Sequence, residues 1–563
     1  MAKILITSAL PYINGIKHLG NLAGSLLPAD IAARHRRQIG DEVLFICATD
    51  EHGTPAELAA AESGLDVASY CARQHAIQAD IYRRLDLSFD HFGRSSSARN
   101  HDLTQHFFAR LEAEGFIEEH VVAQIYSALD QRFLPDRYII GTRPHCGSAE
   151  ARGDQCESCT RQLDPIDLIA PRSALSGDTR LSVRETRHLF LRQSALAGEL
   201  ERWIATRSWP PLVASIARKW LSEGLEDRCI TRDLAWGVPV PKAGFEGKVF
   251  YVWFDAPIAY IAATQEWADV SPETRDWRRW WWEAQGVTYL QFLGKDNVPF
   301  HTVSFPCTLI GSREPWTRVD LMKGVNWLTY QGGKFSTSKR RGVFLDQALD
   351  LLPADRWRWW LAANAPENHD ADFSFEAFAA QVNHDLADSF GNLVNRVLRF
   401  VETRYGSVVP QGEASGEAEA RLEAAIKAHL LALAGHHESL ALRKAAQEVA
   451  AVWRHANAYL ATEAPWTLIA RDAQRAETAI RTAVNLVDLA ARLAWPFIPQ
   501  AATQVLSALG EAAPVPPFPR SGAEALTRIE AGRCIVAPPP LFEKLQPNWV
   551  AACEQLFAGT AQA

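Results

Sequence analysis

Residues Ile4–Leu27 read ILITSALPYINGIKHLGNLAGSLL: an apolar run, a Pro/Asn/Gly segment, and then a helix-like run through His18, Leu19, Gly20 and Asn21. A strand that turns into a helix is where α/β sheets hold nucleotides, because the free N–H groups and positive dipole at the helix start attract phosphate. The stretch lacks both G-x-G-x-x-G and G-x-x-x-x-G-K-[ST], which disfavours a dinucleotide site and a P-loop. Two readings remain. In one, the His18 imidazole donates to phosphate while Gly20 lets the backbone come close; in the other, the segment is an ordinary helix-capping turn.

Outward from this stretch, KILITSAL, a helix to about Gly40, EVLFICATD and a helical stretch from Thr54 to about Leu85 alternate as in a parallel α/β sheet. From about Glu118 the texture changes to short strands, turns and a Cys/His cluster. Near Arg232 the α/β texture resumes with KVFYVWFDAPIAYIAA and VTYLQFLGKDNVPFH, so the middle segment reads as an insertion. After about Phe378 long Ala/Leu-rich helical patterns run to about Leu509, with a low-complexity joint, GEASGEAEAR, near Gly412; this predicts an all-α domain. The last stretch, with APVPPFPR and VAPPPLF, is too rich in proline for helix and is expected to wrap back over the body before a flexible AGTAQA tail. The expected divisions are 1–117 and 231–320 for the two halves of a Rossmann-like domain, with 118–230 as the insertion; then 321–377, a helical domain over 378–530, and a tail over 531–563.

At 563 residues the chain is too long for one core. Its 47% apolar and 22% charged residues, without a run of ~18 apolar residues, predict a soluble protein with no membrane span. The first residues enter a strand directly, with no charged n-region or cleavage site, and nine mostly scattered cysteines read as reduced thiols, so a cytoplasmic protein is expected. A net charge of −8 argues against a general nucleic-acid coat protein but leaves room for a local RNA-binding surface.

A second segment, TYQGGKFSTSKRRGVFL, is a Gly-rich turn presenting Lys334, Ser336, Ser338 and Lys339 beside Arg340 and Arg341. Cations and hydroxyls on a flexible loop suit polyphosphate, and lysine is a mobile point charge that can follow charge developing on a leaving group. Taken alone, the segment reads more readily as a solvated basic loop.

Together, HLGN after the first strand and KFSTS far downstream resemble the two signatures of class I aminoacyl-tRNA synthetases. Within that class the chain is similar to the methionyl-tRNA synthetase family, through ALPYINGIKHLGN, TDEHGTP, ARGDQC, YVWFDAPIAY, GKDNVPFH, KFSTS, GNLVNR and EAPW in family order. Two departures stand out: Asn21 occupies the second histidine of the first signature and Thr337 the second lysine of the other. The resemblance therefore implies a phosphate role centred on His18 and Lys334, with Asn21, Ser336 and Ser338 beside them and Lys339 as a substitute cation. Pro28, inside the first helix, has only a packing or kink reading.

The resemblance places a methionine pocket at Ala9, Leu10, Tyr12, Trp253, Ala256, Pro257, Tyr260 and His301. Chemistry agrees, since aromatic walls offer a polarizable thioether sulfur–ring contacts, although each aromatic alone reads as core packing. Asp50, at the end of a strand, is the candidate partner of the substrate ammonium. His18, Gly20, Asn21, Gly294, Asp296 and Lys334 match the family's ATP contacts, with Asp296 accepting from ribose hydroxyls; Asn297 replaces an aliphatic residue of some relatives.

In RPHCGSAEARGDQCESC, Cys146 and the pair Cys156-x2-Cys159 supply three of the four thiols of a zinc knuckle, with Arg143 in the first position. Ser173 and Ser176 stand where two-knuckle relatives carry a second pair. Bound zinc and a metal-free turn are both open readings. In the helical part Asn392 and Arg396 share one helix face, and Pro465 and Trp466 start a helix; the resemblance implies that these four read the CAU anticodon, for which an aromatic plane and edge donors are suited.

The implied activity is two-step methionine–tRNA ligation by a monomer, with ATP and Mg²⁺, methionine and tRNA(Met) as partners and no DNA or membrane. A synthetase for leucine, isoleucine or valine is disfavoured, because the segment from about Glu118 to Arg228 is too short for an editing insertion. A catalytically silent tRNA-binding paralogue is disfavoured by Asp50, His18, Lys334 and Asp296.

Overall fold

The computed structural model describes residues 1–148, 151–152, 165–336, 341–511 and 513–561. Five parallel strands form the central sheet, in the spatial order Leu321–Val325, Val287–Gly294, Lys3–Ser8, Glu42–Thr49, His91–Arg94. Lys3 lies opposite both Val287 and Glu42. Ile4, Leu5, Ile6, Leu44, Phe45 and Ile46 are buried whichever face they take, as in a sheet covered by helices on both sides. The strand order reverses between Lys3–Ser8 and Val287–Gly294, and ligands of open α/β sheets bind beyond the carboxyl ends of the strands at such a switch point. The segment after Ser8, Asp50 after Thr49 and Asp296 after Gly294 all leave the sheet at that end.

The insertion is a long antiparallel ribbon, Ile117–Ser127 against Leu181–Leu191, carrying between its strands a small sheet of Ile139–Thr142, Ala151–Arg152 and Ile169–Ser173. In the helical half, the run Phe375–Val382, a π-helical segment Asn383–Gly391 and Asn392–Tyr405 are continuous. The junction expected at 378 therefore falls within helix. Three 22-residue helices follow, Glu417–Glu438, Leu442–Glu463 and Ala473–Ala494. The last is capped by the Asp472 side chain, which accepts from the Arg475 N–H, and is buried almost all round.

Two expectations are corrected. Thr54 to Leu85 is not one helix: Gly64, at φ +69°, closes Thr54–Ser63 and Asp66 caps a new helix, Val67–Arg84. Nor is the stretch before the last residues without helix, and of the expected AGTAQA tail residues 562–563 lie outside the described residues. Pro547–Ala561 is a helix, started by a residue whose missing N–H costs nothing there, and its Phe557 ring lies 5.4 Å from that of Phe375. Pro28 stands at the second position of Leu27–Gln38, where a π-helical turn, Leu22–Leu26, changes to α bonding. No helix of the described residues is long and apolar enough to cross a membrane.

Candidate active site

His18 is the N-cap of the helix after the first strand. Its Nδ1 accepts from the Asn21 N–H at 3.3 Å, while its own N–H donates to Asn21 Oδ1 at 3.1 Å. With Nδ1 an acceptor, the ring proton sits on Nε2, leaving a donor. Burial, and then the neighbouring Lys17 ammonium, hold the imidazole below its ordinary value, so it is neutral. The Phe335 ring stacks on it with centroids 4.9 Å apart, and a Cβ on Gly20 would lie 3.0 Å from His18 Nδ1 and 3.4 Å from Phe335. The Leu19 N–H donates to the Val343 carbonyl at 3.1 Å and the Leu345 N–H to the Lys17 carbonyl at 2.9 Å. Two segments more than three hundred residues apart in sequence thus meet at one point. Gly342, at φ +103°, lies where any Cβ would collide with the Phe335 ring. The Lys334 Nζ is 3.8 Å from the Trp327 ring centroid, and the Lys295 Nζ 3.9 Å from the same ring. Ser336 and Arg341 close the loop with paired backbone bonds of 3.1 and 2.9 Å. Ser338 and Lys339, with Thr337 and Arg340, lie outside the described residues.

At the neighbouring strand end a Cβ on Gly294 would come within 2.7 Å of Asp296 Oδ1, so only glycine lets that carboxylate turn back over the strand. The Asn297 carbonyl accepts from His301 Nδ1 at 3.0 Å, which leaves His301 Nε2 to accept from the Tyr260 hydroxyl at 3.0 Å. Burial holds this imidazole at about 4. Trp253 lies flat on Phe300, with centroids 3.7 Å apart and planes 9° from parallel, and meets Tyr12 edge-on at 6.1 Å. Phe300, the ring stacked on Trp253, is not among the residues singled out in the sequence; its one signal is adjacency to His301, within the π-helical turn Phe300–Ser304. Such turns recur at functional sites, and the two others described here follow His18 and precede Asn392. Ala9, Ala256 and Pro257 are buried; Leu10 is half-buried.

The Asp50 N–H donates to the Pro11 carbonyl and the Ile13 N–H to the Asp50 carbonyl, both at 2.9 Å, which lays the Pro/Asn/Gly segment along the strand end beside Tyr12. Asp50 is 3% exposed and its Oδ1 has no partner among the described residues. Burial, and then the nearby Asp255 and Glu51 carboxylates, push its carboxyl well above the usual range, against the pull of Lys17. An orphaned buried acceptor of this kind fits a ligand ammonium.

In the insertion, residues 143–148 and 173–178 fold into the same turn. The Arg143 N–H donates to the Ser148 carbonyl and the Gly147 N–H to the Arg143 carbonyl; Ser173, Asp178 and Gly177 repeat the pattern, with both glycines at positive φ. Buried Arg143 heads one of these turns, and Ser173 in the other accepts from the Leu175 and Ser176 N–H groups. Of the three expected thiols Cys146 is exposed, and Cys156 and Cys159 lie outside the described residues. Among the described residues no group of three or more His, Cys, Asp or Glu is disposed to hold an ion. With an arginine in place of one thiolate and serines, poor zinc donors, in the second turn, the donor set does not fit a closed structural zinc site.

In the helical half the Arg396 guanidinium lies 4.3 Å from the Trp466 ring centroid, and Phe400 meets that ring edge-on at 6.4 Å. Asn392 is one turn before Arg396, and Pro465 is buried beneath, after Ala464 in a left-handed conformation. The half-buried tryptophan keeps part of its surface open.

Comparison with known proteins bears on this arrangement. The class I tRNA synthetase (M) family matches residues 4–398, and the anticodon binding domain of methionyl tRNA ligase matches residues 409–562. The methionine–tRNA ligase of Cereibacter sphaeroides is 57% identical, over 99% of this chain and 100% of that protein. That of Streptomyces avermitilis is 54% identical over 100% of both. Among solved structures, Mycobacterium tuberculosis methionyl-tRNA synthetase bound by methionyl-adenylate superposes with a TM-score of 0.78 at 26% identity, covering 96% of this chain and 100% of that one. Its apo form gives 0.72 at 25% identity, covering 97% and 99%. With a parallel sheet that places both signature segments together, a helical domain of the matching type and more than half of its residues shared with full-length relatives, the chain belongs to the methionine–tRNA ligases of class I.

Proposed function

We propose that the protein activates methionine with ATP to methionyl-adenylate and transfers the methionyl group to the 3′ end of tRNA(Met). The observation that carries this reading is the Asp50 carboxylate oxygen, unpartnered among the described residues, beside the rings of Tyr12, Trp253 and Phe300. Asp50 takes the ammonium, the rings take the thioether, and the Tyr260–His301 pair closes the pocket with a neutral imidazole that asks for no counter-ion. Asp296 accepts from the ribose. The His18 Nε2–H donates to phosphate, and Lys334, released from Trp327, follows the charge that builds on the leaving diphosphate. The methionine carboxylate attacks the α-phosphorus, so no side chain becomes covalent and catalysis is positioning plus charge stabilisation. Mg²⁺ enters with ATP as part of the substrate, keeping most of its ligands as phosphate oxygen and water. The tRNA 3′ hydroxyl then displaces AMP, while Asn392, Arg396, Pro465 and Trp466 receive anticodon bases.

Methionine-dependent exchange of diphosphate into ATP, followed by charging of tRNA(Met), tests the proposal. Exchange with methionine but not with leucine, isoleucine or valine is expected. Exchange with none of the four, or a preference for a branched chain, overturns it.

A further inference from the structure

Trp327 is half-buried, yet it belongs to none of the apolar clusters formed by the described residues. It follows the strand Leu321–Val325 by two residues, and Lys295 follows the neighbouring strand end, where Gly294 lies opposite Val325. Its backbone is fixed on both sides: the Trp327 N–H donates to Asp370 Oδ1 at 2.9 Å, and its carbonyl accepts from the Ala371 N–H at 3.0 Å. An indole placed so firmly outside any core has another partner to meet. That partner is positive charge, since the Lys295 and Lys334 ammoniums lie 3.9 and 3.8 Å from its ring centroid.

The two lysines are held differently. Lys295 Nζ is paired with Asp370 Oδ1 at 2.8 Å, so its charge is balanced with or without the ring. Lys334 is exposed and, among the described residues, forms no ion pair. Its strand, Gly333–Lys334, is carried by antiparallel pairing with Leu328–Tyr330, which fixes the backbone and not the ammonium. The attraction of an ammonium for an exposed ring is modest, and two ammoniums at one ring sit within a Debye length, about 8 Å, of each other and repel. The indole therefore keeps Lys334 from wandering but yields it to a stronger negative charge.

We infer that Trp327 is a positioning residue for the activation step: its ring holds the Lys334 ammonium in reserve, and the cation leaves it to meet the charge that builds on the departing diphosphate. The inference rests on the reading of Lys334 as the cation for that charge. It also explains a large aromatic side chain at a strand end where no core needs filling, and a second lysine on the same ring whose own counter-charge keeps it in place when Lys334 departs.

The test is a double-mutant cycle on the full chain, reading the single-turnover rate of methionyl-adenylate formation at saturating ATP for Trp327→Leu, Lys334→Ala and the pair, with melting curves as control. Leucine keeps apolar bulk without a ring face, so W327L should release the lysine and speed the step about two- to fivefold. The same substitution on K334A should change nothing, because no ammonium is left to hold. W327F, which keeps a ring, should stay within about twofold of wild type. A W327L chain that is slower only when Lys334 is present overturns the inference, since the ring would then hold the lysine in its working position. An equal change with and without Lys334 makes Trp327 a packing residue and overturns it, and no change in either background does so too. Should W327L fail to fold, the wild-type chain carries the test: its lysines are methylated with ¹³C-formaldehyde, which keeps their charge, and the Lys334 signal is assigned with K334R. That signal should lie upfield under the ring current and move back when magnesium diphosphate is added. A signal at the ordinary lysine position throughout, or one that stays displaced, overturns the inference. Undiminished adenylate formation by K334A would instead remove the reading of Lys334 itself.

Discussion

Trp253 has one face on Phe300 and an edge towards Tyr12, so its ring is held by neighbours before any ligand arrives. Trp253→Ala should therefore remove both a contact and the partner that orders Phe300. We expect methionine binding to weaken by on the order of 2 kcal/mol or more while ATP binding is nearly intact. Calorimetry on a folded variant with unchanged methionine affinity would show that the pocket lies elsewhere. The family resemblance brings Trp253, Tyr260 and His301 forward as candidates, and the preference of a thioether for aromatic walls agrees with the first two. It hides Phe300, since a phenylalanine in an apolar run has the same appearance whether it stacks on a ligand wall or fills a core. The burial of Lys17 is hidden for a related reason, since a lysine in a loop reads as solvated.

At the scale of elements, the strand Gly333–Lys334 and the loop after it are docked on the helix that begins at His18, through Phe335 on the imidazole and the Leu19–Val343 bond. Lys334 is exposed and rests on Trp327, a posture that suits a cation recruited only when charge develops. Lys334→Ala should slow methionine-dependent exchange by roughly 10² with little change in methionine affinity, as for a charge acting mainly in the transition state. A fall of less than about threefold would assign the phosphate role to another cation. The platform of Arg396, Trp466 and Phe400 belongs to two helices, Asn392–Tyr405 and Pro465–Leu468. If a splayed base stacks there, Trp466→Ala should remove roughly 1–3 kcal/mol of tRNA interaction and spare exchange in the absence of tRNA. Loss of both activities with a lowered melting temperature would make Trp466 a packing residue. Elements of this size were legible where period and caps agree: the strands Lys3–Ser8 and Glu42–Thr49 and the Ala-rich helices follow their apolar patterns. The break at Gly64 and the helix Pro547–Ala561 were not. One glycine in a polar helical pattern is ambiguous, and the prolines before Pro547 obscure an apolar face, Trp549, Cys553 and Phe557, that is decided by docking on Phe375 and Phe378.

At the scale of the whole molecule, the catalytic and helical parts are joined by buried polar contacts as well as by apolar packing. Gln38 Nε2 donates to the Arg492 and Pro516 carbonyls at 2.9 and 3.1 Å, and His35 stacks on His437 with ring centroids 3.7 Å apart. The centre of the junction is Arg358, which has no exposed side-chain surface. Its guanidinium donates to Asp30 Oδ2 at 2.6 Å in the helix that follows His18, to the Leu85 carbonyl at 3.1 Å, and to the Pro496 and Phe497 carbonyls at 2.9 and 3.0 Å. Burial works to raise the Asp30 carboxyl, but Arg34 and Arg358, with bonds from Ser88, hold it at about 2. Arg358→Met keeps much of the volume and removes every donor, leaving three carbonyls unpaired and Asp30 dependent on Arg34 alone among cations. A buried pair broken on one side costs about 3–5 kcal/mol, and the surviving Arg34–Asp30 bond, at 3.0 Å, places this case near the lower end. Because those carbonyls belong to both parts, the loss should do more than lower the midpoint. The wild-type chain should unfold with the two parts coupled, and R358M should separate a helical from a catalytic transition in calorimetry. A single transition at the wild-type temperature would show that the Gln38 bonds, the histidine stack and the apolar packing hold the junction without Arg358.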